Sequence, residues 1–269
     1  MASLGQLTAG IAHEIKNPLN FVNNFADLNV ELLEELEESA AALDLSGDVA
    51  DLIADITMNV RQIAKHGKRA DTIVASMMDH ATASKGLPEK IDIAAQLREY
   101  AGLTFASFRT RHPDFDCTVE LPDESVEHEA LVIPQELGRV WINIFNNAFD
   151  AVAERMAAGA EAYEGRVEVA LADLEGDMPT VKVEIRDNGP GIEADKSAHV
   201  FEPFYTTKPT GMGNTGLGLS LTHDIVTKGH GGQLEVSETT GGGATFTVTI
   251  PVESPTLKSL VEPAAVDPS

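Results

Sequence analysis

Leu4, Leu7, Ile11, Ile15, Val22, Phe25, Leu32, Leu36, Ala40 and Leu43 recur at heptad-like intervals, with Leu19 or Pro18 between Ile15 and Val22. That period predicts one amphipathic helix from about residue 3 to Leu43. Its length is beyond that of ordinary globular helices and favours a coiled-coil-like hairpin arm. Asp44-Leu45-Ser46-Gly47-Asp48 supplies the turn, with Asp48 as an N-cap candidate. A second seam follows at Val49, Leu52, Ile56, Val60, Ile63, Gly67, Ala70, Val74, Met77 and Ala81. Two antiparallel amphipathic helices share a stripe that a single hairpin cannot cover. Pairing with a second copy as a four-helix bundle covers it, so a homodimer is expected.

After Ser84-Lys85-Gly86-Leu87-Pro88, which reads as a linker, the period changes to mixed α and β. Strands are expected near Ile91–Ile93, at about 116–121, 166–173 and 180–186, and at about 233–238 and 244–250. Helices are expected at about 94–108, 135–158 and 217–228. Val167, Val169 and Leu171, and likewise Val181, Val183 and Ile185, give each of two strands one buried face. The tail after Pro251 is rich in Pro, Ser and acids, so 253–269 is expected to be disordered. The fold class expected is α+β in two domains: a helical hairpin over 1–85 and a domain of mixed α and β over 86–252.

Composition narrows the partners. Nineteen basic against 43 acidic residues give a net charge of −24, which argues against nucleic acid or an anionic membrane. The acids from Asp27 to Asp55, uninterrupted by Lys or Arg, read as a solvated face. The single Cys117 fits a reducing compartment, and a cytoplasmic setting is expected. The chain contains no apolar run of about 18 residues and no signal-peptide layout. The amphipathic pattern is already under way at Leu4, so an upstream part of the protein is expected to be missing, and the whole protein could be soluble or membrane-anchored.

The chemistry gathers at two places. In Ala12-His13-Glu14-Ile15-Lys16-Asn17-Pro18-Leu19, His13 and Asn17 share a helix face. Glu14 can hold a proton off one ring nitrogen and leave the other free to attack. Pro18 bends the helix beside them. His13 lies off the seam and should face solvent or a partner; a lone helical His is usually just surface, but these neighbours lower those odds. Downstream, Asn143 and Asn147 are four apart amid apolar residues, and two amide oxygens on one face suit Mg²⁺. As surface amides alone they would be unremarked. Asp187-Asn188-Gly189-Pro190-Gly191-Ile192 ends a strand in a turn whose carboxylate can accept from an exocyclic amine. Gly211-Met212-Gly213-Asn214-Thr215-Gly216-Leu217-Gly218-Leu219-Ser220 can hold phosphate on backbone N–H groups at a helix start. Its G-x-G-x-x-G fails as a dinucleotide fingerprint, since Phe204-Tyr205-Thr206-Thr207-Lys208-Pro209 precedes it rather than a buried strand. Gly241-Gly242-Gly243-Ala244-Thr245-Phe246 taken alone is a hairpin turn.

In this order, from about Leu4 to Val252, the motifs resemble the transmitter core of two-component sensor histidine kinases. The resemblance implies a dimerisation and histidine-phosphotransfer hairpin followed by a Bergerat-type ATP-binding α/β sandwich. It implies His13 as phosphoacceptor, Glu14 as its general base, and Asn17 as the residue that positions water when a partner is dephosphorylated. It implies ATP and Mg²⁺ as cofactors, with Asn147 the metal ligand and Asp187 reading adenine. Nucleotide contacts are carried over to Asn143, Gly189, Gly191, Ile192, Gly213, Thr215, Gly216, Leu217, Gly218, Leu219 and Thr245. Phe201 and Phe204 match the anchor of a mobile lid, in which Lys208 can reach a phosphate. Asp150, counted with the nucleotide positions, departs from the pattern: many such kinases carry a Lys there. The implied partner is a response-regulator receiver. Bergerat-fold ATPases of the gyrase, mismatch-repair and heat-shock-90 kind differ in carrying a water-activating Glu four residues before the metal-binding Asn. That position is Asn143 here, which favours the kinase. An idle scaffold, or a protein acting mainly as phosphatase, is the reading from another class.

Overall fold

The computed structural model describes residues 15–16, 19–36, 48–81, 86–123, 125, 127–159, 163–203, 205–207, 216–239 and 242–261. The chain divides into two units, Met1–Ser84 with Thr206–Leu217, and Lys85–Tyr205 with Gly218–Ser269. In the first, helix α1 (19–36) runs antiparallel to helix α2 (Asp48–Ala81). Glu34 meets Arg61 at 3.3 Å and Asp27 meets Lys68 at 2.9 Å. Gly67 faces Asn23 so closely that a Cβ would lie 2.1 Å from the Asn23 Oδ1. The stripe of α1 that is buried or half-buried is Leu19, Asn23, Ala26, Val30 and Leu33. On α2, Ile53, Thr57, Ala64 and Val74 are buried.

The seam expected from the sequence is only in part this stripe: Gly67 and Val74 of α2 lie on both. Val22, Phe25, Leu32 and Leu36 are exposed, Phe25 to 63%, as are Leu52, Ile56 and Ile63 of α2. Small residues such as Ala26 and Gly67 allow close approach on one stripe. The larger apolar side chains remain on the adjacent one.

The second unit opens with strand β1 (Glu89–Asp92) and helix α3 (Ile93–Arg111). The Asp92 carboxylate accepts from the N–H groups of Ala94, Ala95 and His128. Burial raises its pKa, but those three bonds and Arg98 outweigh that and hold it below the usual carboxylate range. Next come β2 (Cys117–Glu120), β3 (Glu129–Val132), helix α4 (Pro134–Ala157), β4 (Gly165–Leu174) and β5 (Thr180–Asp187). After the short α5 (Ala194–Ser197) follow α6 (Gly218–Asp224), a π-helical turn (Ile225–Gly229), β6 (Gln233–Glu238), β7 (Ala244–Pro251) and α7 (Pro255–Val261).

The main sheet has the order β2-β4-β5-β7-β6, parallel at β2–β4 and antiparallel elsewhere; β1 and β3 pair apart from it. Along β5 the residues Val181, Val183, Ile185 and Asp187 are buried, while Lys182, Glu184 and Arg186 alternate with them on the other face. The buried row joins one core with Leu97 and Phe108 of α3 and with Trp141, Phe145 and Phe149 of α4. Helices therefore cover one face of the sheet. The other carries charge pairs: Glu184 with Lys182 and Arg186, and Glu168 with Arg186.

Three features depart from the sequence reading. Strand β3 was not expected: with four residues it is too short to show a period. The helix expected over 217–228 is α-helical only to Asp224. His230 then donates its backbone N–H to the Ile225 carbonyl five residues back, which widens the turn. Finally, the tail is not disordered from 253: Pro255–Val261 form α7. Its Leu257 is buried, and Leu131 donates to the Val252 carbonyl, tying the chain beside β3. One well-placed leucine outweighs a composition typical of disorder.

Candidate functional site

Helix α4 explains why polar side chains stand beside the core. Its buried stripe comprises Val140, Trp141, Ile144, Phe145, Ala148 and Phe149. Asn143, Asn147 and Asp150 are half-buried along its margin. Trp141 is held by the Gln96 side chain, which accepts the indole N–H at 2.9 Å and donates to the Pro134 carbonyl. Asn143 donates its amide to the Gly218 carbonyl and the Thr222 hydroxyl, both at 3.2 Å. Thr222 in turn donates to the Gly218 carbonyl at 2.8 Å. The first of the paired amides thus fastens the start of α6 to α4.

Asp187 ends the buried row of β5 and is only 3% exposed. Its Oδ1 accepts from the Gly189 N–H at 2.9 Å and the Ala244 N–H at 3.2 Å, bridging the two glycine turns. Such a crossing leaves no room for a side chain at Gly243: its φ is +101°, and a Cβ would lie 2.0 Å from the Asp187 carbonyl oxygen. Gly191, at φ +83°, lies against Gly243, and Gly189 lies against Ala151 of α4. Thr245 is buried, 2.9 Å from the Thr239 hydroxyl. Ile192, Phe201 and Leu219 pack on the core, with the Phe201 ring 5.5 Å from that of His223.

The structure thus brings together Asp187, Gly189, Gly191 and Thr245, and joins Asn143 to Gly218. Gly216, at φ +69°, and Leu217 fall in the other unit's segment. His13, Glu14, Asn17, Phe204, Lys208, Gly213 and Thr215 lie outside the described residues. Sequence reasoning missed Arg155 and Tyr163, which hold the Asp187 turn. The signal was present, since Asn143, Asn147, Ala151 and Arg155 follow one another at four-residue spacing along α4. Cys117 is no nucleophile, because burial pushes its thiol up to about 12.

A two-layer α/β unit with a buried strand-end acid, paired helix amides and glycine turns defines a nucleotide-binding domain of the Bergerat class. Residues 133–254 match the family described as Histidine kinase-, DNA gyrase B-, and HSP90-like ATPase. Over 254 residues the chain is 28% identical to the sensor histidine kinase ZraS of Escherichia coli K12, covering 94% of this chain and 46% of that protein. It is 30% identical to the sensor protein kinase PilS of Pseudomonas aeruginosa, covering 93% of this chain and 41% of that one. The chain therefore spans under half the length of these relatives. Full-length ShkA, solved with AMPPNP, shares the fold at a TM-score of 0.56 and 22% identity, covering 93% of this chain and 46% of that one. Residues 133–254 thus carry a domain of that ATPase family, and over most of its length the chain is similar to sensor histidine kinases. No helix among the described residues is long and apolar enough to cross a membrane.

Proposed function

We propose that this chain is the ATP-dependent kinase core of a two-component system, with His13 as the phosphoacceptor. The observation that carries the reading is Asn143. The matched family joins kinases with ATPases that activate water, and here the position four before Asn147 holds an amide engaged with Gly218 and Thr222. An amide takes up no proton from water, so the γ-phosphoryl group is left for another nucleophile. An imidazole nitrogen of His13 attacks the γ-phosphorus, the bond to the β-phosphate oxygen breaks, and ADP leaves. Glu14 holds the proton of the other ring nitrogen.

The donor set fits the cofactors. Asp187 is a buried acceptor for the adenine amine, and Asn147 would hold Mg²⁺ through its hard amide oxygen. When bound, the ion neutralises phosphate charge. The phosphoryl group then passes to an aspartate of a separate receiver, and Asn17 orients water when that receiver is dephosphorylated. The protein works in the cytoplasm as a homodimer through α1 and α2, with an upstream sensor supplying the signal.

Incubation of the chain with γ-labelled Mg-ATP tests this. One acid-labile, base-stable phosphate per chain is expected, lost in His13→Ala while ATP binding persists. Label remaining in His13→Ala, or acid-stable label, would overturn the assignment.

A further inference from the structure

The carbonyl groups of the Asp187 turn are gathered by two side chains outside every motif read from the sequence. Arg155 Nη1 donates to the Asn188 carbonyl at 2.7 Å and to the Gly189 carbonyl at 3.1 Å. The guanidinium lies over the Tyr163 ring, 4.9 Å from its centroid. The Tyr163 hydroxyl lies 2.7 Å from the Asn188 Oδ1 and 3.1 Å from the Asn188 carbonyl oxygen. Asn188 is itself moored to the start of β4, accepting the Arg166 N–H and donating to the Glu164 carbonyl. Arg155 reaches the second glycine turn as well: its Nη1 would lie 3.4 Å from a Cβ on Gly242.

We propose that Arg155 and Tyr163 are positioning residues for nucleotide recognition, clamping the Asn188–Gly189 peptides so that Asp187 faces the adenine amine in one fixed orientation. Asp187 bridges the two glycine turns through Gly189 N–H and Ala244 N–H. Its plane is therefore only as fixed as the peptides that carry those donors. Arg155 holds the carbonyls of the first turn and touches the second. A flexible Asp-Asn-Gly turn would otherwise sample several orientations, and binding would bear the entropy of choosing one. Burial pushes the Tyr163 hydroxyl above its ordinary pKa, and it remains a donor.

This inference rests on Asp187 reading adenine, and the experiment separates the two claims. KM and kcat of autophosphorylation for Mg-ATP are measured on the full chain for Arg155→Met, Arg155→Lys, Tyr163→Phe and Asp187→Asn. Arg155→Met removes charge-assisted bonds to two carbonyls, so KM should rise about tenfold. The kcat at saturating ATP should stay unchanged, since a bound nucleotide itself selects the productive turn. Arg155→Lys, which restores a cationic donor, should recover most of that affinity, and Tyr163→Phe should raise KM to a smaller extent. A merely destabilising change would lower the active fraction, and with it kcat, without moving KM. If Asp187→Asn raises KM while Arg155→Met leaves it unchanged, or lowers only kcat, the clamp is overturned and the adenine reading stands. An unchanged KM in Asp187→Asn overturns the adenine reading itself. Should Arg155→Met fail to fold, Tyr163→Phe decides, and a wild-type KM there overturns the clamp.

Discussion

Asp187 is placed by its neighbours. Strand alternation puts it in a row otherwise filled by Val and Ile, and two backbone N–H groups bind its Oδ1. A carboxylate taken out of water needs such partners, and in return its orientation is set. Asn147 is different in kind, a half-buried amide beside the α4 core stripe. The two residues should therefore fail differently. Asn147→Ala should weaken the Mg²⁺ dependence of ATP affinity and leave metal-free binding nearly intact. Asp187→Asn turns an acceptor into a group that also presents donors, so affinity should fall with and without Mg²⁺. Calorimetric titration with ATP, with Mg²⁺ present or chelated, distinguishes them. Equal metal dependence in wild type and Asn147→Ala would remove Asn147 from the metal site.

Among the elements, α4 begins against a buried histidine. His230 Nε2 accepts the Ile133 N–H at 3.0 Å, and its Nδ1–H donates to the Ile225 carbonyl at 2.9 Å. That pairing requires the neutral ring. Burial is the largest influence and lowers the His230 pKa below its ordinary value of 6.5, although the Ile225 bond and Glu136 oppose it. Below about pH 6.5 the unfolded chain takes up a proton that the folded chain refuses, so stability falls with pH until the folded pKa is passed. The slope reaches at most about 1.4 kcal/mol per pH unit for one such proton. Urea midpoints at pH 7.5, 6.5 and 5.5 should decline in the parent protein. They should decline less in His230→Asn, which is weaker throughout but lacks this titration. Equal slopes would mean that His230 does not govern the acid limit.

The same elements show what a sequence can reveal. The β5 alternation and the α4 stripe are long and strongly periodic, and they placed Asp187, Asn143 and Asn147 correctly beside the core. Strand β3 and the π-helical turn depend on partners remote in sequence: Glu89–Asp92 for one, and for the other Ile133, whose N–H holds the buried His230 ring that closes the turn. Helix α7 depends on Leu257 finding a place in the fold. The role of Arg155 follows from a turn formed 33 residues away. Local pattern carries no record of such pairings.

At the scale of the whole molecule, the helical unit leaves large apolar side chains exposed. The α1 stripe that packs within the hairpin runs Leu19, Asn23, Ala26, Val30, Leu33, whereas Phe21, Phe25, Leu32 and Leu36 stay exposed with Leu52, Ile56 and Ile63 of α2. An exposed apolar surface of this kind suits an interface. Val22, Phe25, Asn29, Val60 and Ile63 also line an open cleft between the two helices. A four-helix bundle about a two-fold axis buries the stripe of both copies at once. The chain should accordingly be a dimer by light scattering at micromolar concentration, and residues 1–85 alone should dimerise. A charge placed on the stripe and away from the intrachain contact, as in Phe25→Glu, should give a monomer whose α/β unit still binds ATP. A monomeric parent, or a Phe25→Glu chain that dimerises as tightly as the parent, would mean that another surface or another partner covers the stripe.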